Sequence, residues 1–274
     1  MKKIGRYLEE YSKDLISWLE DNKVKYEIIG NCESGFHKIF FTIDMDSDIV
    51  KSEKFTDFKF DTITVKLDFS RKEIEQAEWL VFRSSYQQVE IINREEVFRY
   101  SCYYDNNKKA HHCEQIGKIK IRTELKWNTK SFMSGDDGSF SEMFTHRGVK
   151  ESAENNHING VSFINLVDKK GNELDNSFKI EADNILPIEA FNFNNGEKVY
   201  ECPMCGKRQY CIPLAEQYHI KREYLDDAVD LYTTDYLFGD GMADRLYIMS
   251  HKFYSILKNN KYLKGLVVEP IIVE

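Results

Sequence analysis

Proline is scarce in this chain, with four residues in 274, and glycine contributes only fourteen. That scarcity argues against low-complexity tracts and Pro- or Gly-rich linkers, and no segment reads as a flexible tail. Long apolar runs are missing too. No stretch approaches the roughly 18 apolar residues that suggest a transmembrane helix. The opening Met1-Lys2-Lys3-Ile4-Gly5-Arg6 is basic, but Leu8, Glu9, Glu10, Tyr11 and Ser12 cannot form the apolar part of a signal peptide. These absences set the expectation of a cytoplasmic protein with no membrane partner, in a compartment where thiols stay reduced. The sequence also lacks Gly-x-x-x-x-Gly-Lys-Ser/Thr, Gly-x-Gly-x-x-Gly, Gly-x-Ser-x-Gly and His-Glu-x-x-His. Neither enzymatic activity nor a small-molecule substrate is expected.

What is present suffices for a folded core: 42% of residues are hydrophobic and 14% aromatic. The 46 acidic and 38 basic side chains give a net charge of −8. That balance disfavours a protein that grips nucleic-acid phosphates, because such affinity comes largely from Lys and Arg. It suits a soluble protein or one whose partner is basic.

Apolar residues at Ile4, Leu8, Tyr11, Leu15, Trp18 and Leu19 recur at helical spacing and predict an amphipathic first helix. Strands are predicted at 38–45 and 60–69, the latter from alternation of Ile63, Val65, Leu67 and Phe69 with Thr64, Lys66 and Asp68. Ser70 followed by Glu73 is a capping-box signature that opens a short helix. Strands are predicted next at 79–82, 89–92, 97–103 and 118–127, and helices at 214–231 and 251–259. The fold class is α+β, with mixed or antiparallel sheets and peripheral helices. Two regions are expected: an N-terminal α+β region over 1–95 and a duplicated region over 96–274.

The duplication rests on residues 145–167 set against 250–272 at a constant offset of 105. Thr145-His146-Arg147 then lies over Ser250-His251-Lys252, Asn155 over Asn260, Gly160-Val161 over Gly265-Leu266, and Leu166-Val167 over Ile271-Ile272. Each copy reads as a helix, a glycine turn and a strand, with a pair of cysteines upstream.

Cys202-Pro203-Met204-Cys205-Gly206 is a Cys-x2-Cys-Gly knuckle, a spacing at which two thiolates close on one metal from a tight turn. A structural zinc takes four ligands, and Cys102 and Cys113 are the best candidates for the other two. They flank the polar loop 105–109, which would bring its ends together. His111, His112 and Cys211 stay open as alternatives, while Cys32 reads as a small buried hydrophobe. The favoured set, Cys102, Cys113, Cys202 and Cys205, would tie the two copies together around one structural zinc. A deaminase-like reading of His112-Cys113-Glu114 with Glu201-Cys202-Pro203-Met204-Cys205 is weaker, because the proline follows the first cysteine instead of preceding it. His146 and His251 read as structural residues at helix starts.

Asp226, Asp227, Asp230, Asp235, Asp240 and Asp244 crowd the C-terminal region, interleaved with Tyr232 and Tyr236. Acids beside aromatics make a candidate partner-binding surface.

The knuckle with Val199-Tyr200-Glu201 before it resembles the double-CxxCG proteins found among bacterial toxin-immunity genes. So do the ending Leu246-Tyr247-Ile248-Met249-Ser250, the helix with Phe253 and Leu257, Lys264-Gly265-Leu266 and Glu269-Pro270. Phe69-Ser70-Arg71-Lys72-Glu73 with Ala77-Glu78-Trp79 is similar to the same group. The chain departs from the pattern in its first pair, which is Cys102-x10-Cys113. The resemblance implies a cytosolic immunity protein that neutralises one cognate protein toxin, with zinc as a structural clamp. A zinc-ribbon-type regulatory or nucleic-acid-binding adaptor is the alternative, and a zinc-dependent hydrolase or deaminase a third.

Overall fold

In the computed structural model the described residues are 1–31, 36–58, 60, 63–85, 87–102, 112–115, 117–128, 130–135, 142–192, 198–201, 208–211, 217–234, 237–238 and 245–274. The fold is α+β. One compact unit covers Met1–Glu73, and a larger one covers Ile74–Ile212 and Tyr218–Glu274. The boundary falls ahead of the division expected at 95/96, because the strand over 79–84 belongs to the second unit.

The first unit contains β1 (Lys2–Glu10), α1 (Lys13–Asp21), β2 (Tyr26–Asn31), β3 (Phe36–Asp44), α2 (Glu53–Asp57) and β4 (Ile63–Asp68). Its antiparallel sheet runs β2-β3-β1-β4. The single helix expected over residues 4–19 is therefore a strand and then a helix. Gly5 and Tyr7 face inward while Arg6 and Leu8 face out, an alternation of two that outweighs the spacing of Ile4, Leu8 and Tyr11. Tyr7 is fully buried and stacks on Phe41 at 4.9 Å. The helix begins only after Ser12, whose hydroxyl accepts the Leu15 N–H and caps it. The Ser70–Glu73 capping box forms as expected: the Ser70 N–H donates to Glu73 Oε2 at 2.7 Å, and the Glu73 N–H donates to Ser70 Oγ at 3.2 Å. It opens α3 (Arg71–Gln76).

The second unit continues with β5 (Trp79–Ser84), β6 (Gln87–Val89), α4 (Arg94–Val97), β7 (Phe98–Cys102), β8 (His112–Gln115), β9 (Phe132–Gly135), β10 (Met143–Thr145), α5 (Arg147–Asn155) and β11 (Val161–Val167). There follow β12 (Glu173–Ala182), β13 (Asn184–Leu186), β14 (Lys198–Glu201), β15 (Arg208–Cys211), β16 (His219–Ile220), β17 (Leu231–Thr234), β18 (Leu237–Phe238), β19 (Tyr247–Ser250), α6 (His251–Asn259), β20 (Leu266–Pro270) and β21 (Ile272–Val273). Two five-stranded sheets dominate, β11-β12-β10-β9-β6 and β20-β5-β19-β17-β13. Read in that order, each has three antiparallel pairings and then a parallel one.

The duplication is thus broader than the stretch that betrays it, extending from β5 to β11 and again from β12 to β21. The repeats exchange one strand. β12, from the second repeat, lies between β10 and β11 of the first, while β5, from the first, lies between β19 and β20 of the second. Ile180 faces Met143 and Phe163 across its two ladders, and Phe82 faces Tyr247 and Val268 in the same way. The bonds at the glycine turns match as well. The Asp183 N–H donates to Gly160 O and the Ser85 N–H to Gly265 O, both at 2.9 Å. Gly160 and Gly265 have φ of 79° and 96°, the left-handed region where a Cβ is unfavourable. The helices begin at Arg147 and His251, one step short of the offset relating those glycines. The second copy therefore has one extra residue between helix and glycine, and the gap-free offset of 105 is corrected within the helices.

One core joins the repeats: Phe82, Phe132, Met143, Val149 and Ile180 pack with Leu231, Tyr247, Met249, Phe253 and Leu257. Two equivalent clusters involve the other residues of each sheet, around Met133 and Phe144 in one and Tyr232 and Ile248 in the other.

Two expected elements are corrected here. Residues 118–127 are not a strand, although Ile119, Ile121 and Trp127 are buried. Lys120 makes an isolated parallel bridge to Val167. On the other edge the Asn93 side-chain amide donates to Lys118 O at 3.0 Å and accepts the Lys120 N–H at 2.8 Å, so no continuous ladder forms. The helix expected at 214–231 is absent over its described part. There Tyr218 O and Ile220 O accept the Ile272 and Glu274 N–H groups at 2.9 and 3.0 Å, so these backbone groups serve a sheet. Among the described residues no helix is long and apolar enough to cross a membrane.

Candidate functional site

The described cysteines, Cys102, Cys113 and Cys211, lie on equivalent hairpins of the two repeats. β7 and β8 pair antiparallel, with Tyr100 opposite Cys113 and Cys102 opposite His112. The chain ends flanking the polar loop therefore come together, with Cys102 and Cys113 one step apart across the ladder. β14 and β15 form the second hairpin, with Glu201 opposite Arg208 and Lys198 opposite Cys211. The knuckle joins those two strands. Cys202 and Cys205 themselves lie outside the described residues, as do Cys32 and His111. Cys102 ends β7, and Cys202 is the first residue after β14, so each hairpin carries a cysteine where its first strand meets its loop. Among the described residues no three of His, Cys, Asp and Glu gather into a metal-holding group.

The acidic run is less of a surface than its composition suggests. Asp226 and Asp227 are exposed, but Asp227 Oδ1 accepts from Arg222, which also bonds Glu78. Tyr232 is 5% exposed, and its hydroxyl accepts the Asp226 N–H at 2.8 Å. Asp230 is 3% exposed and bonded on both carboxylate oxygens. Tyr232 and Asp230 are thus interior residues and are withdrawn from the partner surface. Asp235, Tyr236, Asp240 and Asp244 lie outside the described residues.

A cleft that the sequence did not announce lies at the start of α5. About 370 Å³ in volume, it is lined by residues including Trp127, Lys130, Ser131, His146, Lys261 and Tyr262. His146 caps the helix, with Nδ1 accepting the Gly148 N–H at 3.0 Å, which leaves Nε2–H as the donor of the neutral ring. Its ring meets Trp127 and Tyr262 edge-on at 5.6 and 5.0 Å. The Trp127 indole N–H is already committed to Asn176 O at 2.8 Å. No motif marks this cleft, because Trp127, His146 and Tyr262 come from three distant segments.

Burial pushes the His146 imidazole below its usual 6.5. Protonation at Nδ1 would also remove the acceptor that caps α5. The unfolded chain binds this proton more readily than the folded one, so the contribution is complete above pH 6.5 and declines as pH falls below it. His146→Asn keeps a capping oxygen without the titration. Thermal unfolding between about pH 7 and about pH 5 is expected to show a shallower loss of Tm in that variant than in the parent. Equal slopes would remove His146 as a contributor.

No family model, curated protein or solved structure matches this chain.

Proposed function

We propose that the protein is a bacterial immunity protein that acts in the cytoplasm, binding and neutralising one cognate protein toxin, with a structural zinc clasping its two repeats. The observation that carries this reading is the pair of equivalent hairpins, each with a cysteine at the junction of strand and loop. The double-CxxCG resemblance implies such an immunity protein, with zinc as a structural clamp. The proposed ligands remain Cys102, Cys113, Cys202 and Cys205. A zinc held by four side chains is closed to substrate and serves stability, not chemistry. The net charge of −8 supports a basic partner surface, which complementary fields would steer into contact. Asp226 and Asp227 remain candidates for that contact.

The test is co-expression with the product of a toxin gene lying directly beside this one. Rescue of cell growth together with co-purification of the two chains is expected. A toxin that kills despite abundant soluble protein, and that forms no complex with it, would overturn the reading.

A further inference from the structure

The two repeats differ at one pair of equivalent places, and the difference points to a ligand. Phe132 faces Thr145 in the first repeat as Leu231 faces Met249 in the second. One residue beyond these pairs lie Ser131 and His146, and correspondingly Asp230 and Ser250. The backbone confirms the match: the Ser131 N–H donates to Lys264 O and the Asp230 N–H to Asn159 O, both at 2.9 Å.

In the second repeat this place is filled from within. Asp230 accepts from Ser250 Oγ at 2.7 Å, from the Asn159 N–H at 3.0 Å and from Lys252 Nζ at 2.9 Å. Lys252 is the second residue of α6, and its counterpart, the second residue of α5, is Gly148. The first repeat therefore has Ser131 in place of the acid and no side chain in place of its cation. What remains is the cleft of about 370 Å³, a volume suited to a small molecule or one inserted side chain. Ser131 lines it while only 6% exposed, and among the described residues its Oγ makes no hydrogen bond. The Ser131 hydroxyl is not sealed from solvent, so it opens into the cleft and can donate to what enters there. Lys130 and Lys261 add positive charge to the lining.

We propose that this cleft binds a single carboxylate, supplied by a small free acid or by an acidic side chain of a protein partner. The ligand's carboxylate takes the place that Asp230 fills in the other repeat. Ser131 Oγ and the His146 ring donate to it, the lysines neutralise it, and Trp127 and Tyr262 flank its body. The inference is independent of the zinc and of toxin binding, since it rests on the comparison of the two repeats.

The test follows the indole N–H signal of Trp127 in the full chain by NMR, assigned with Trp127→Phe, during titration with benzoate and with a glutamate blocked at both ends. Benzamide and the correspondingly blocked glutamine are the uncharged controls. At least one carboxylate is expected to shift the signal saturably and at least about tenfold more tightly than its amide. Tighter benzoate binding identifies a free acid as the ligand class, and tighter binding of the blocked glutamate identifies a partner's side chain. Ser131→Asp, which supplies an internal carboxylate, is expected to weaken binding by about tenfold or more. The exposed Lys261→Glu, which leaves the core untouched, is expected to weaken it several-fold. A lack of saturable response to both acids overturns the proposal, as does an equal response to the amides. So does binding unchanged in Lys261→Glu and in a folded Ser131→Asp.

Discussion

Replacing Asp230 by alanine is expected to cost about 2–4 kcal/mol of unfolding free energy, mostly from donors left without their buried acceptor. The Lys252 partner is half exposed, so its ion pair is screened by water. Asp230 is 3% exposed and holds three elements at one point. Its Oδ1 accepts from Ser250 Oγ, the same oxygen that caps α6 by accepting the Phe253 N–H at 3.1 Å. Its Oδ2 accepts from the Asn159 N–H, in the turn ahead of β11, and from Lys252. Truncation leaves the Asn159 N–H and the Ser250 hydroxyl without their acceptor. Asp230→Asn keeps one acceptor oxygen and is expected to lose less, about 1–3 kcal/mol. Urea unfolding of the three proteins separates these cases. A loss below about 1 kcal/mol for the alanine variant would mean that water replaces the carboxylate.

The second large effect concerns the proposed zinc. Cys202→Ser combined with Cys205→Ser is expected to lower stability by on the order of 5 kcal/mol, below the roughly 10–16 kcal/mol with which structural zinc binds small finger peptides. The reduction from the peptide range follows from the core that the repeats share without the metal, centred on Phe82 and Ile180 of the exchanged strands. Cys102→Ser is expected to be destabilising in the same direction, since loss of one ligand opens the site. Cys211→Ser tests the alternative ligand on β15, and under the proposed set it leaves stability close to that of the parent.

Local chemistry was legible wherever the deciding partners are neighbours in sequence. The Ser70–Glu73 box, the all-apolar start of β5 and the helix over 251–259 needed nothing distant, and their structures follow the residues. The offset match exposed the duplication because left-handed turns demand glycine at Gly160 and Gly265 in both copies. Strand exchange was not legible, since alternation shows which face of a strand is buried but not whose strand lies beside it. The extended run around Ile119 misled for a related reason: its alternating burial is real, but its pairing is a single parallel bridge of Lys120 to Val167, with the Asn93 side chain bonded along the other edge. Composition made Asp230 and Tyr232 look like a surface, whereas an acid with three donors belongs inside. The cleft needed both the fold and the comparison of repeats to become visible.

The most direct test of a zinc-clasped duplication is the metal content of the protein purified without chelator, measured by elemental analysis together with native mass spectrometry. One zinc per chain is the predicted result, released on unfolding and absent from the Cys202→Ser, Cys205→Ser variant. A metal-free parent protein that takes up no added zinc, and whose thermal stability is unchanged by those two substitutions, would contradict it.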